Sequence, residues 1–458
     1  MKVIVCGAGQ VGFNIARHLA EQHNDVTVID QSPKLIRKIM DGLDVQAFVG
    51  HASDPTMLEA AGMADADLLV AVTQSDEVNM IACQVAKSIF SIPKNVARIR
   101  NQAYLKPKWN DLFTRDNLPI DVIISPEVEV AEALWRRLEV PGAFNMIPFV
   151  DDIVRVVGLK LEESCPVVDT PLRQLTELFP TLNITVMAIV REDRVFVPTA
   201  EDHLMVGDDI YIGIATDLTD RTMAVFGHQE KEARRIAIVG GGNVGLNLAR
   251  MLEERNPEVT LKVIEMNEER ARNVAEKLKR TVVLNGDALD REILQEANIS
   301  ETETIVAVAD DDEVNILTSL LSKREGCPRA ITLVNNTIYG PLLGSLGIDV
   351  ALDPRETTVS TILQQIRRGR IRDLHSIRSG RAEIIEAEVM ESSPLAGTSI
   401  ADIKNQASLR IGMIVRDHVA ITPKPSTVFA TGDRVVIIAL ADAVKDVEKM
   451  FSARADFF

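Results

Sequence analysis

Aromatic residues make up only 4% of this 458-residue chain. A core short of rings must be filled by Val, Ile, Leu and Ala, which favours α/β layers whose buried parallel strands read as short aliphatic runs. Basic residues are outnumbered, 50 against 67 acidic ones, for a formal net charge of −17 and a pI near 5.0. A chain of that sign repels nucleic-acid phosphate and gains nothing from anionic lipid; the surplus reads as solubility charge. Long apolar runs are missing, and no stretch approaches the ~20 residues needed to span a bilayer. The first residues run straight into a strand, so a cytoplasmic chain without a signal peptide is expected. Cysteine is scarce too. Cys6, Cys83, Cys165 and Cys327 are dispersed, with no C-x-x-C pair and no nearby His, which argues for buried free thiols and against a zinc site.

The length exceeds what one core accommodates and suggests three or four domains; 46% hydrophobic and 26% charged residues are ordinary for a globular protein. The most informative presence is a glycine fingerprint that occurs twice. Gly7-Ala8-Gly9-Gln10-Val11-Gly12 returns as Gly240-Gly241-Gly242-Asn243-Val244-Gly245. Asn14, Ala16, Arg17, Leu19 and Glu21 reappear at the same offset as Asn247, Ala249, Arg250, Leu252 and Glu254. One such motif is weak; two with matching flanks imply an internal duplication.

Strands are expected at residues 2–6, 25–29, 45–49, 68–72, 96–99 and 122–124, with helices at 11–21, 33–40, 56–61, 77–90 and 128–138. Strand and helix in alternation mean a parallel sheet covered on both faces. After Pro141-Gly142 the apolar residues alternate at shorter range, with turn signals at Glu192-Asp193 and Gly207-Asp208-Asp209, as in a small α+β module. A charged linker from Lys231 to Arg235 leads into the second fingerprint. Ser75 to Asn79 matches Asp311 to Asn315, Ile124-Ser125-Pro126-Glu127 matches Leu352-Asp353-Pro354-Arg355, and Arg191 to Pro198 matches Arg416 to Pro423. The expected architecture is two Rossmann-like doubly wound parallel-sheet domains, each followed by a small α+β module: 1–140, 141–227, 233–368 and 369–458.

The fingerprint carries chemistry because of its context. Each copy follows an aliphatic strand and opens a helix. The first glycine permits the tight turn, the second admits a pyrophosphate to the backbone, and the third lets helix and sheet approach closely. Free N–H groups and the helix dipole then favour phosphate. Asp30 ends the second strand and is placed to accept ribose hydroxyls; Gln31 and Ser32 follow rather than an arginine, so NAD or another adenine nucleotide is expected and NADP disfavoured. Glu265 takes that part in the repeat. Gly50-His51-Ala52-Ser53-Asp54 ends the third strand and Gly286-Asp287 its repeat, where open sheets bind ligands. His51 or Asp54 can touch the adenine edge, or Asp54 can simply cap the next helix. Thr73 and Gln74 end the fourth strand. Arg98 and Arg100 lie on an otherwise apolar strand, where a guanidinium needs a partner: a nucleotide phosphate, or Asp76 or Glu77. The repeat reads Ile331-Thr332-Leu333-Val334-Asn335, with Thr332 and Val334 set opposite the arginines, so the two sites should differ.

On these marks, together with the four-part order, the whole chain resembles the family of tandem regulator-of-potassium-conductance (RCK) chains that serve as regulatory subunits of the Trk potassium-uptake system. The resemblance implies binding of NAD(H) and ATP or ADP. It also implies a homo-oligomeric ring beneath a membrane-embedded potassium-translocating Trk subunit, on the inner face of the cell membrane. It places Gly7 to Val11, Asp30, Thr73, Gln74 and Arg98 around the first nucleotide, and Gly240 to Val244 with Glu265 around the second. The small modules are read as locks of the dimer rather than as effector sites. An NAD-dependent dehydrogenase is the rival, but it needs an acid or base beside the nicotinamide. None of the seven histidines sits in a repeated constellation with a carboxylate. Binding without turnover is therefore expected. A soluble nucleotide sensor for another transporter is the third reading.

Overall fold

The computed structural model describes residues 1–452 other than 22, 115, 180, 193, 229, 231, 367–370 and 379, with backbone only at 107, 110, 176, 337, 341 and 363–366. Asp193 of the first expected turn and Lys231 of the expected linker therefore lie outside the described residues. The first segment runs β1 (Lys2–Cys6), α1 (Gln10–Glu21), β2 (Asp25–Asp30), α2 (Pro33–Gly42), β3 (Gln46–Val49), α3 (Pro55–Ala60), β4 (Leu68–Ala71), α4 (Asp76–Phe90), β5 (Lys94–Arg98), β6 (Val122–Ile124) and α5 (Pro126–Glu139). A small module follows: β7 (Ala143–Phe149), β8 (Val154–Lys160), α6 (Leu172–Leu178), β9 (Thr185–Arg191), β10 (Arg194–Phe196), β11 (Asp209–Ala215) and α7 (Thr219–Val225). The second large segment holds β12 (Arg235–Val239), α8 (Asn243–Arg255), β13 (Thr260–Glu265), α9 (Glu268–Lys277), β14 (Val282–Asn285), α10 (Arg291–Glu296), β15 (Thr304–Ala307), α11 (Asp312–Arg324), β16 (Arg329–Leu333), α12 (Gly340–Leu343), β17 (Val350–Leu352) and α13 (Pro354–Ile366). The chain ends with β18 (Ile371–Ile377), β19 (Ala382–Glu388), β20 (Leu409–Arg416), β21 (Val419–Ile421), β22 (Arg434–Leu440) and α14 (Val444–Phe451).

Both large sheets are parallel and share one order, β3-β2-β1-β4-β5-β6 and β14-β13-β12-β15-β16-β17. The order reverses beside the first strand, which opens a crevice at the carboxyl ends where the glycine turns lie. Both small sheets are antiparallel and again share one order, β10-β9-β11-β8-β7 and β21-β20-β22-β19-β18. The expected fold class, two doubly wound parallel sheets each trailed by a small α+β module, is the one found.

The chain divides into two compact units, residues 1–131 with 353–366, and residues 132–352 with 367–458. In the first, Val3, Val5, Val28 and Val70 of the sheet pack with Ile15 and Leu19 of α1 and Ile36 and Ile39 of α2, and with Val359 and Ile362 of α13. Leu58, Met80, Cys83 and Ala86 cover the opposite face. Burial on both faces explains why these strands read as unbroken aliphatic runs. In the second unit, the end of α5 meets α8: Trp135 Nε1 donates to Asn256 Oδ1 at 2.9 Å, and Arg255 stacks 4.4 Å from the Trp135 ring while its guanidinium grips both oxygens of Glu132.

The two small sheets of that unit bury one face against each other. Ile147, Phe149, Met187, Ala188 and Tyr211 of one share a core with Ile377, Ile384, Met413, Val436 and Ile438 of the other. Their outer faces carry separate cores, closed by Phe226 beyond α7 and by Phe451 of α14. All four cysteines are buried and unpaired, and burial pushes the Cys6 thiol up to about 12.

Candidate nucleotide sites

The three glycines of each fingerprint are required for different reasons. Gly7 and Gly240 adopt φ of 112° and 103°, and a Cβ there would meet Val72 O at 2.9 Å or Ala309 N at 2.8 Å. Only glycine tolerates both conditions. At Gly12 and Gly245 a Cβ would fall 1.8 and 1.9 Å from the carbonyl oxygens of Gly7 and Gly240, so the helix lies directly on the turn. Gly9 and Gly242 are different. Nothing lies within 4 Å of a Cβ built on either, and Gly242 has an ordinary φ of −63°. The chain itself gives no reason for glycine there; a group approaching from the crevice does.

Helix starts point the same way. Ser32, Asp54 and Ser75 cap α2, α3 and α4 with their side chains, and Asn267, Asp290 and Asp311 cap α9, α10 and α11. At α8, which follows the second glycine turn, Gly242 supplies no side-chain cap. Its first-turn N–H groups are left facing the crevice, a favourable place for anionic oxygen.

The acids at the ends of β2 and β13 hold the turns. Asp30 Oδ2 accepts the Ala8 N–H at 2.7 Å and Oδ1 accepts that of Ser32 at 2.8 Å. Glu265 Oε2 accepts the Gly241 N–H at 2.7 Å and Oε1 that of Asn267 at 2.8 Å. Asp30 remains partly exposed, whereas Glu265 is buried, with Arg270 3.8 Å away. Each acid is thus a brace for its glycine loop before it is anything else.

Around the first turn, His51 is exposed, with Nδ1 2.9 Å from Ser53 Oγ. Asp54 accepts the Thr56 N–H at 2.9 Å and caps α3, one of the two roles open to it. Asp287, exposed in the repeat, accepts the Leu289 N–H at 2.9 Å. Thr73 is tied to Asn79 Oδ1 through both its N–H and its hydroxyl, and Gln74 is exposed.

Arg98 is partly buried, and its Nε has no hydrogen-bond partner among the described residues. Burial, then the nearby Arg100, pulls its pKa below the usual guanidinium value. Neither Asp76 nor Glu77 is hydrogen-bonded to it. Asp76 instead accepts the backbone N–H groups of Arg100 and Asn101, Glu77 accepts from Ser75 Oγ, and the Arg100 side chain reaches Glu127 Oε1 at 3.0 Å.

Two buried residues escaped the reading of the sequence as functional groups. Asn79 joins the ends of β4 and β5 through Thr73 and Arg98 O, and Asn315 joins β15 and β16 through Ala309 and Leu333 O. Asp312 accepts the N–H groups of Asn335 and Asn336 as Asp76 does those of Arg100 and Asn101. The signal was the repeated Ser75 to Asn79 segment, a buried polar pair one turn into a helix. These bonds also correct the alignment of the repeats. Arg98 corresponds to Leu333 and Arg100 to Asn335, one residue on from Thr332 and Val334. The conclusion that the second copy lacks both arginines stands.

Among the described residues, no cluster of His, Cys, Asp or Glu could hold a metal ion, and no helix is long and apolar enough to cross a membrane.

Comparison with known proteins agrees with this architecture. A family model described as the TrkA-N domain matches residues 3–126 and again 236–354, and one described as the TrkA-C domain matches 384–452. A "Trk system potassium uptake protein TrkA" of Azorhizobium caulinodans is 50% identical over 458 residues, covering 100% of both chains. Among solved structures, the RCK domain of GsuK superposes with a TM-score of 0.60 at 16% identity, covering 99% of this chain and 95% of that one. A GsuK channel bound to NAD gives the same score and identity over 99% of this chain and 79% of the other. At such identity the likeness speaks for the fold alone.

Proposed function

The chain belongs to the TrkA family of Trk system potassium uptake proteins, and on that premise we propose that it is a nucleotide-binding regulatory subunit of potassium transport. It binds NAD(H) and ATP or ADP without turning them over. The observation that carries this reading is the second glycine of each fingerprint, which faces open space at the mouth of a turn built for phosphate. Arg98 supports it: a guanidinium with a buried, unpartnered Nε at the carboxyl edge of the same sheet is matched by an anionic ligand. The first site comprises Gly7 to Gly12, Asp30, Thr73, Gln74 and Arg98, with His51 and Asp54 on the adenine side. The second comprises Gly240 to Gly245, Glu265 and Asp287. The four modules divide at 1–140, 141–227, 233–368 and 369–458.

The subunit works in the cytoplasm, against the inner face of the membrane, as a homo-oligomeric ring beneath a potassium-translocating Trk subunit. Surface chemistry favours assembly through the parallel-sheet domains. Ile81 and Ile89 on α4 and Leu317 on α11 are about half exposed, as are Trp109 and Leu342, and Ile338 is more exposed still; large exposed apolar side chains mark contact surfaces. A nucleotide shifts such a ring only through unequal affinity for two conformations, and the channel subunit must alter nucleotide affinity in return.

Calorimetric titration with NADH and ATP tests the reading. Wild type is expected to bind both, and Gly9→Val to lose binding at the first site alone with an unchanged thermal midpoint, because a Cβ there meets only open space. A wild-type chain that takes up no adenine nucleotide would sink the proposal. Retention on membranes only when the translocating subunit is present tests the partner.

A further inference from the structure

The two small sheets are copies of one plan, yet where they meet, matched positions differ in size and in sign. Met187 of β9 corresponds to Gly412 of β20, and the two lie against each other: a Cβ on Gly412 would fall 2.4 Å from the Met187 methyl. One position on, Ala188 corresponds to Met413, and Met413 shares the space over Gly213 with Met187, 3.2 and 3.1 Å from where that residue's Cβ would be. Gly213 in turn corresponds to Ile438. Met187, Ala188, Met413 and Ile438 are all buried. Each methionine therefore lies over a glycine of the other copy.

Charge follows the same rule at the rim. Asp209 opens β11 and Arg434 opens β22, at equivalent places in the two registers. Arg378, from the turn after β18, pairs with Asp209. Asp151, from the turn after β7, pairs with Arg434. Arg434 also holds Glu386, which is buried and accepts the Val150 N–H at 2.9 Å. Two first modules brought together in this way would set Asp209 against Asp151 and Met187 against Met187. Two second modules would set Arg434 against Arg378 and leave a hole between paired Gly412 residues. Both arrangements combine like-charge repulsion with overpacking or a void.

We infer that this face is a heterotypic lock: its residues select a first small module for pairing with a second one and reject the pairing of like modules between chains. Burial already pushes the Asp209 carboxyl above its usual range despite Arg378, so an acidic neighbour there would be poorly tolerated. The lock accounts for both modules residing in one chain, where they are always present in equal number.

Charge exchange in the full chain tests this. Asp209→Arg is expected to lower the thermal midpoint by several degrees, and Arg378→Asp added to it to recover most of the loss; losses that simply add would overturn the charge half of the inference. A size cycle gives an independent readout. Gly412→Met is expected to lower the midpoint by several degrees and Met187→Gly added to it to recover most of the loss. Strictly additive losses would remove the size half of the lock.

Discussion

The two parallel-sheet domains share a backbone plan and differ in what they offer a charged ligand. The first leaves Asp30 partly exposed and carries Arg98, with its Nε unpartnered, at the end of β5, two strands from the one that leads into the glycine turn. The second buries Glu265, brings Arg270 near it, and has Leu333 where the guanidinium stood. The second also adds a brace of its own: Glu253, in place of Ala20, accepts the N–H groups of Lys279, Arg280 and Thr281 and the Thr281 hydroxyl. The glycine turn is thus common to both copies, while the acid beneath it is partly exposed in one and buried in the other. A polar group that faces a crevice serves binding; the same group sealed beneath the loop serves stability.

The largest expected effect erases the difference. Gly12→Ala and Gly245→Ala drive a methyl into a carbonyl oxygen in either copy, and each is expected to cost at least ~3 kcal/mol, read as loss of the thermal transition or a large drop in its midpoint. Next, Arg98→Leu copies the residue of the second sheet into the first. It is expected to weaken NADH and ATP binding by about 1.5–3 kcal/mol while holding or raising the thermal midpoint, since an unpartnered buried group is removed. A fall in stability with affinity intact would place Arg98 in the framework instead.

The two acids should separate in the same manner. Asp30→Ala also strands two backbone donors, so it is expected to lower the thermal midpoint and, unlike its counterpart, to weaken nucleotide binding by about 1.5–3 kcal/mol. Glu265→Ala is expected to lower stability by about 1–3 kcal/mol, because it strands two backbone donors, with first-site affinity unchanged in calorimetry. Smallest is the effect of Glu253. Partial burial alone would raise its pKa, but its hydrogen bonds to Lys279, Arg280 and Thr281 outweigh that and hold it at about 2, against a usual 4.5. A carboxylate depressed in the folded state stabilises above its unfolded pKa and loses that contribution as pH falls. Glu253→Gln should thus melt lower than wild type above pH 5, by no more than about 1 kcal/mol given its solvent exposure, with the gap closing between pH 4.5 and 2.

Much of the fold was legible because strand and helix signals are local. Residues 2–6 and 122–124 were expected as strands and are strands, and Asp54 takes the helix cap that was one of its two expected roles. The candidate sites were legible as far as glycine spacing reaches. The repeat alignment slipped by one residue at Leu333 because aliphatic strands offer no landmark for register; the hydrogen bonds of Asn79 and Asn315 supply it.

Residue order was enough to establish that this is a doubled chain with two glycine turns of one type, since steric demands at Gly7 and Gly12 and their repeats depend on near neighbours. It could not tell that Glu265 is sealed while Asp30 stays open, that Arg98 lacks a partner at its Nε, or that Met187 seats over Gly412. Those outcomes depend on which surfaces, distant in the chain, come to lie against one another, and burial is a property of the packed molecule rather than of any one segment.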